Sequence, residues 1–365
     1  MGKISMKGVC DMHVHTNPDL RLRAYDDFQL ADAAISVGAR AIVIKTHLGF
    51  TVNRAYLTNQ YVKRVYGENT GFTMYGGVVM NKVIGGINPE AVEKGLKLGA
   101  KEIWLPTQSA KRHLEKMGQN PADGIELVRD GKVVPELIDV FKLIRDHDAV
   151  LGTAHVSPKE AFVVVEAARD AGVKKIVITH PEWWVVDMSM EDQIRLVKDY
   201  DVILERCYAQ NMGGGAYKSN LPDNLEIIKA VGYEHVMVDT DGGQTENPNW
   251  ELALEEYMQY LADHGIPEEH IYHMTKTNPF PIPDAGNIFR LRLNINTSKR
   301  PIQKAGAEAP IKLNTIETLS KMLYCFLAAM IPIGIPTMTE NKTPQEANNT
   351  VLGNRSMICA ETSVL

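Results

Sequence analysis

His13 and His15 stand two residues apart in Cys10-Asp11-Met12-His13-Val14-His15-Thr16, and their side chains are able to do chemistry. They close an apolar run of Val9, Met12 and Val14 that reads as a β-strand. Residues i and i+2 of a strand point to one face. Two imidazoles then aim at one point, as ligands of a single metal ion do. Asp11 shares that face one step deeper and reads as a support for the pair rather than as a ligand. A lone His-x-His is common by chance; its company further along the chain decides.

That company is positional. Lys45 and His47 follow AIVI, His155 follows VLGTA, His180 follows KIVIT, Glu205 closes VIL, and Asp239 and Asp241 follow HVMV. Each stands at the C-terminal end of a predicted strand, the strands being 9–15, 41–45, 73–80, 102–105, 150–154, 175–179, 202–205 and 235–238. Amphipathic stretches over 26–37, 89–98, 135–146, 158–171 and 250–264 alternate with them. That alternation predicts a (β/α)8 TIM-like barrel over residues 1–285. A doubly wound open sheet is the rival, but no G-x-G-x-x-G follows the first strand. In a barrel the strand ends converge on one face, where such enzymes keep their active sites. Five of the 11 histidines fall there. The excursion over 106–134 contains a predicted hairpin turning at Asp130-Gly131.

Composition sets limits. The 365 residues are 44% hydrophobic and 23% charged, with a formal charge of -6. Mild acidity argues against general nucleic-acid binding. Cys10, Cys207, Cys325 and Cys359 include no C-x-x-C pair and read as reduced thiols of a cytoplasmic protein. No apolar signal core precedes the histidine pair. Gly213-Gly214-Gly215-Ala216-Tyr217 is not a P-loop, because Tyr217 stands where glycine must precede Lys218; it reads as a flexible loop. The apolar run at 322–338 is short for a bilayer span and carries Pro332 and Pro336. It reads as a buried or docking part of a C-terminal extension, 286–365, that packs on the barrel or joins copies of the chain into a homo-oligomer. No membrane is expected as a partner.

DMHVHT, GTAHVSP, VITHPE and MVDTDGG together resemble the amidohydrolase superfamily of metal-dependent hydrolases. More narrowly, Lys45-Thr46-His47 after the His-x-His resembles an uncharacterised amidohydrolase-like family within that clan. The resemblance implies that His13 and His15 are metal ligands and that His155 and His180 complete or support the site. It implies that Asp239 is both ligand and base for metal-activated water. Three nitrogen and oxygen ligands leave a divalent transition metal, foremost Zn²⁺, one open position for that water. Two-metal relatives bridge with a residue on strand four, whereas here strand four ends in Trp104-Leu105-Pro106-Thr107-Gln108. One metal is therefore expected, unless Lys45 takes the bridging role; otherwise Lys45 binds a substrate carboxylate or forms a salt bridge. His47 is a second-metal ligand or a hydrogen-bond donor behind one. Glu205 is a general acid, an additional ligand, or a partner of Arg206 or Lys45. Asp241 reads as a turn residue of Asp-Gly-Gly.

The expected function is hydrolysis of an amide, ester or lactone-type bond in a small molecule. The rivals are a polymerase-and-histidinol-phosphatase-type phosphoesterase, a metal-dependent non-oxidative decarboxylase, and a non-enzymatic metal-binding subunit. Trp183-Trp184 is a candidate pocket wall. His113, His147, His235, His264, His270 and His273 are assigned no role.

Overall fold

The computed structural model describes residues 2–210 and 218–279. The glycine-rich loop at 213–217 and the extension at 286–365, with its apolar run, lie outside the described residues. Among those described, no helix is long and apolar enough to cross a membrane.

Eight parallel strands follow one another in sequence order around the barrel: β1 Cys10–His15, β2 Ala41–Lys45, β3 Thr73–Val79, β4 Glu102–Trp104, β5 Val150–Gly152, β6 Lys175–Ile178, β7 Ile203–Cys207 and β8 Val236–Asp239. They are nearly continuous apolar runs because both of their faces are covered, one by helices and one by the barrel interior. Each is followed by a helix: α1 Asp27–Ser36, α2 Val52–Tyr66, α3 Pro89–Lys97, α4 Pro135–Asp146, α5 Pro158–Asp170, α6 Met190–Tyr200, α7 Leu221–Val231 and α8 Trp250–Asp263. Local chemistry starts these helices. Asp26 with Gln29, and Ser157 with Glu160, form reciprocal capping boxes, and proline opens α3, α4 and α5. The expected hairpin is present as Val128–Arg129 paired with Lys132–Val133, with Asp130 and Gly131 both at positive φ.

The barrel closes where β8 meets β1, and two carboxylates hold that seam. Asp239 Oδ1 accepts from Met12 N at 3.0 Å. Asp11 Oδ2 accepts from Thr240 N at 3.1 Å, Thr240 Oγ1 at 2.7 Å and Trp250 Nε1 at 2.8 Å, while Oδ1 takes His13 N at 2.9 Å. His15 N donates to Gly242 O at 2.9 Å.

Strand β1 is irregular. Asp11 pairs with Ile42 and Val14 with Ile44, so β1 carries one extra residue between them, a β-bulge. The bulge reverses the in–out parity of the strand. Asp11 therefore turns to the helix layer and Trp250 instead of sharing the histidines' face, and the expectation for it is corrected. Inside the barrel, Trp104 is fully buried between strands that carry glycine opposite it. A Cβ on Gly77 would lie 2.3 Å from the Trp104 ring, and one on Gly152 would lie 2.5 Å from both Trp104 Cδ1 and Glu102 Oε1.

Candidate active site

His13 Nε2, His15 Nε2 and Asp241 Oδ1 form a triangle with edges of 3.2, 3.2 and 3.3 Å. The three side chains come from the two ends of the barrel sequence and meet at its C-terminal rim. A tetrahedral metal with bonds of about 2.0–2.1 Å separates its ligand atoms by roughly 3.3–3.4 Å. The triangle fits such an ion, and two imidazoles with one carboxylate are the donor set of an open, catalytic type of site.

Asp239, expected as ligand and base, gives Oδ1 to the barrel seam, while its Oδ2 is buried without a hydrogen-bond partner among the described residues. Burial, with Asp11 and Glu205 nearby, pushes its carboxyl well above the usual range. Asp241, expected to shape the turn, supplies the carboxylate. Burial opposes its ionisation, but His13 and His15 hold it well below the usual range. The last strand ends at Asp239, as expected, and Asp241 reaches the histidine pair from the loop just beyond it.

Lys45 points into the same centre. Its Nζ lies 3.0 Å from His13 Nε2 and 5.2 Å from the centre of the Trp104 ring. Burial lowers its affinity for a proton. On the other edge of His13, Nδ1 meets Glu205 Oε2 at 3.2 Å, and the same oxygen accepts from His180 N at 3.2 Å. Burial raises the cost of charge on Glu205, yet His13, His180 and Lys45 hold its carboxyl below the ordinary range. Arg206 turns the opposite way, into a buried network with Glu182, Gln193 and Asn224, and is no partner of Glu205.

A wall of aromatic rings faces this centre. His47 lies 5.0 Å from His15, ring centre to ring centre, and its Nδ1 contacts Thr107 Oγ1 at 2.9 Å. His180 is 5.6 Å from His13 and 5.4 Å from His155, and Trp183 packs edge-on against His155 at 4.6 Å. His113, assigned no role from sequence, belongs to this wall, with Nδ1 only 3.0 Å from His155 Nδ1. Burial pushes the rings of His180 and His113 down to about 4 and His15 to about 3, and those of His47 and His155 well below the ordinary value. At neutral pH these five rings are uncharged, so they offer lone pairs and N–H groups rather than positive charge.

Ala154 (φ +54°), His180 (φ +28°) and Asp241 (φ +46°) hold left-handed backbone at the ends of β5, β6 and β8. Such strain in non-glycine residues gathers where surrounding structure enforces a working geometry. Glu102 was also missed from sequence. It is fully buried, neither of its oxygens has a hydrogen-bond partner among the described residues, and burial together with Glu205 keeps its carboxyl well above the usual range.

The centre opens into a cavity of about 350 Å³. Its lining includes Leu20, Leu48 and Met117 alongside Gln108 and Gln244. The arginines there are paired: Arg23 with Asp19 at 2.6 Å, and Arg21 with Glu246. Arg54, further back, ties Asp27 to the backbone of Thr16 and Asn17.

Residues 8–205 match the model of DUF6282, a family of unknown function. No curated protein matches the chain in sequence. Among solved structures, an amidohydrolase from Pseudomonas aeruginosa is similar with a TM-score of 0.53 at 14% identity, over 74% of this chain and 94% of that one. The probable dipeptidase PvdM from the same organism is similar with a TM-score of 0.51 at 11% identity, over 74% and 93%. These likenesses establish a shared barrel fold.

Proposed function

We infer a function from the premise that the chain belongs to DUF6282, a family of unknown function, so that its chemistry has to be read from its own residues. The reading is a metal-dependent hydrolase of a small molecule that carries an amide, ester or lactone-type carbonyl. The observation that supports it most is the triangle of His13 Nε2, His15 Nε2 and Asp241 Oδ1. Similarity of fold to an amidohydrolase and a probable dipeptidase agrees with it.

His13, His15 and Asp241 would hold one divalent transition metal, for which zinc suits the donor set. Such an ion polarises a carbonyl and makes water a nucleophile at neutral pH. The chain's own residues do the rest. Glu205 accepts the Nδ1–H of His13 and so keeps Nε2 as the donor atom, the usual arrangement behind a ligating histidine. Asp241, between His13 and His15, would be the carboxylate that takes a proton from an attacking water. His180 and His155, neutral on the facing wall, take and return protons or accept hydrogen bonds from the leaving group. Lys45, next to His13, orients the carbonyl or an acidic group of the substrate. A cavity of about 350 Å³ lies at the small end of ligand pockets and suits a compact substrate.

The test is metal content per chain, together with turnover of a panel of small amides, esters and lactones, for wild type and Asp241→Asn. Bound metal and turnover in wild type, both lost in the variant, support the reading. Metal-loaded wild type that hydrolyses none of the panel but releases carbon dioxide from an aromatic acid would favour a decarboxylase.

A further inference from the structure

His113 and His155 meet edge to edge. Their Nδ1 atoms are 3.0 Å apart, the ring centres 5.0 Å apart, and the planes differ by 20°. Only one proton fits between two nitrogens at that distance, so the two neutral rings must hold opposite roles there. We propose that His113 is a positioning residue: it accepts the Nδ1–H of His155 and thereby leaves the Nε2 lone pair of His155 facing the cavity.

Burial selects this arrangement over its reverse. His155 is 3% exposed, whereas His113 is half-buried on the short helix Lys111–Lys116. In the reverse arrangement His155 would carry Nε2–H into the cavity, where no described residue is its hydrogen-bond partner, and the donor would sit on the more deeply enclosed of the two rings. With His155 protonated on Nδ1, the N–H without a protein partner is Nε2–H of His113, which is the ring nearer to water.

The short helix is fixed so that it can do this. Arg112 Nε donates to Val185 O at 2.9 Å and Lys116 Nζ to Asp187 Oδ2 at 2.8 Å, tying it to the loop that carries Trp183. Trp183 then bounds both rings, 4.6 Å from His155 and 6.0 Å from His113. The consequence is a His155 that can only accept at Nε2. It takes a hydrogen bond or a proton from a substrate group, or donates its lone pair to a cation.

This inference rests on the cavity being the active site, but its test reads ring nitrogens and is independent of whether metal binds. Full-length protein with isotope-labelled histidine is examined by long-range proton–nitrogen correlation at neutral pH with chelator present, and His155→Asn assigns the signals. Wild type should show His155 protonated at Nδ1 and bare at Nε2. His113→Phe, which keeps a ring but no acceptor, should move His155 to Nε2–H or to a mixture. His113→Gln, whose amide oxygen accepts, should restore the wild-type pattern. A His155 that carries Nε2–H in wild type overturns the proposal, as does one whose pattern His113→Phe leaves unchanged. If His113→Phe melts too low to be studied, the wild-type and His113→Gln spectra decide alone.

Discussion

Glu205 Oε2 lies 3.2 Å from His13 Nδ1, at the opposite edge of the ring from the Nε2 that faces Asp241. One imidazole is thus held between two carboxylates, one on β7 and one in the loop that follows β8. Replacing Glu205 with leucine removes the acceptor and frees the ring to turn over. Affinity for zinc is expected to fall about 10–100-fold, with a smaller loss for Glu205→Gln, which keeps an acceptor. Competition against a chromophoric chelator measures this. Equal affinity in all three proteins would mean that Glu205 does not orient the ligand.

Asp239 and Asp241 make a sharper comparison, because they differ by only two positions. Asp241→Asn should abolish stable metal binding while the barrel stays folded. Asp239→Asn should leave metal content close to wild type and lower the melting temperature through the seam. Elemental analysis of both purified variants separates the two roles; the opposite pattern would return the ligand role to Asp239.

Acid should weaken the metal-free protein. His15 is pushed down to about 3 and His180 and His113 to about 4, chiefly by burial, from an ordinary value of 6.5. Below 6.5 the unfolded chain takes up protons that the folded chain refuses. Stability is therefore whole above that value and lost as pH falls toward the depressed folded values. Each buried ring adds a slope of up to about 1.4 kcal/mol per pH unit within its window. Melting temperatures recorded with chelator should decline steadily from about pH 7 to about pH 5. A flat profile would mean that these rings are charged when folded.

Gly243 links the seam to the site. Its φ is +99°, and a Cβ there would stand 1.8 Å from the backbone oxygen of His15. Gly243→Ala should cost about 3 kcal/mol or more and reduce metal occupancy with it. Gly265 is a control, since it has φ +88° but no atom within 4 Å of a built Cβ. Gly265→Ala should cost about 1 kcal/mol and leave metal content unchanged. Similar losses from both would show that φ alone matters.

The barrel was legible in the chain because its strands are short β-branched runs at regular intervals, and Val43 or Val177 can be placed with no tertiary information. The histidines at the strand ends were legible for the same reason. Asp241 was not, because Asp-Gly-Gly is ordinary turn chemistry and nothing in the sequence shows that the loop past β8 brings Asp241 back to His13 and His15. Asp11 was misplaced because a bulge changes parity without any mark in composition. His113 sits in a loop helix whose return to the cavity is set by Arg112 and Lys116. Glu102 looks like an ordinary charged residue at a strand start, and only the closed barrel shows that it points inward.

The three atoms of the proposed metal triangle come from the first strand of the barrel and from the loop that follows the last, and the seam between those strands is held by Asp11 and Asp239. During synthesis, His13 and His15 leave the ribosome long before Asp241 and before Trp250, which completes the grip on Asp11. A growing chain therefore has no finished place for the ion, and contacts of such long sequence separation form late. A metal held by this triangle would be captured only by a chain that has already closed its ring.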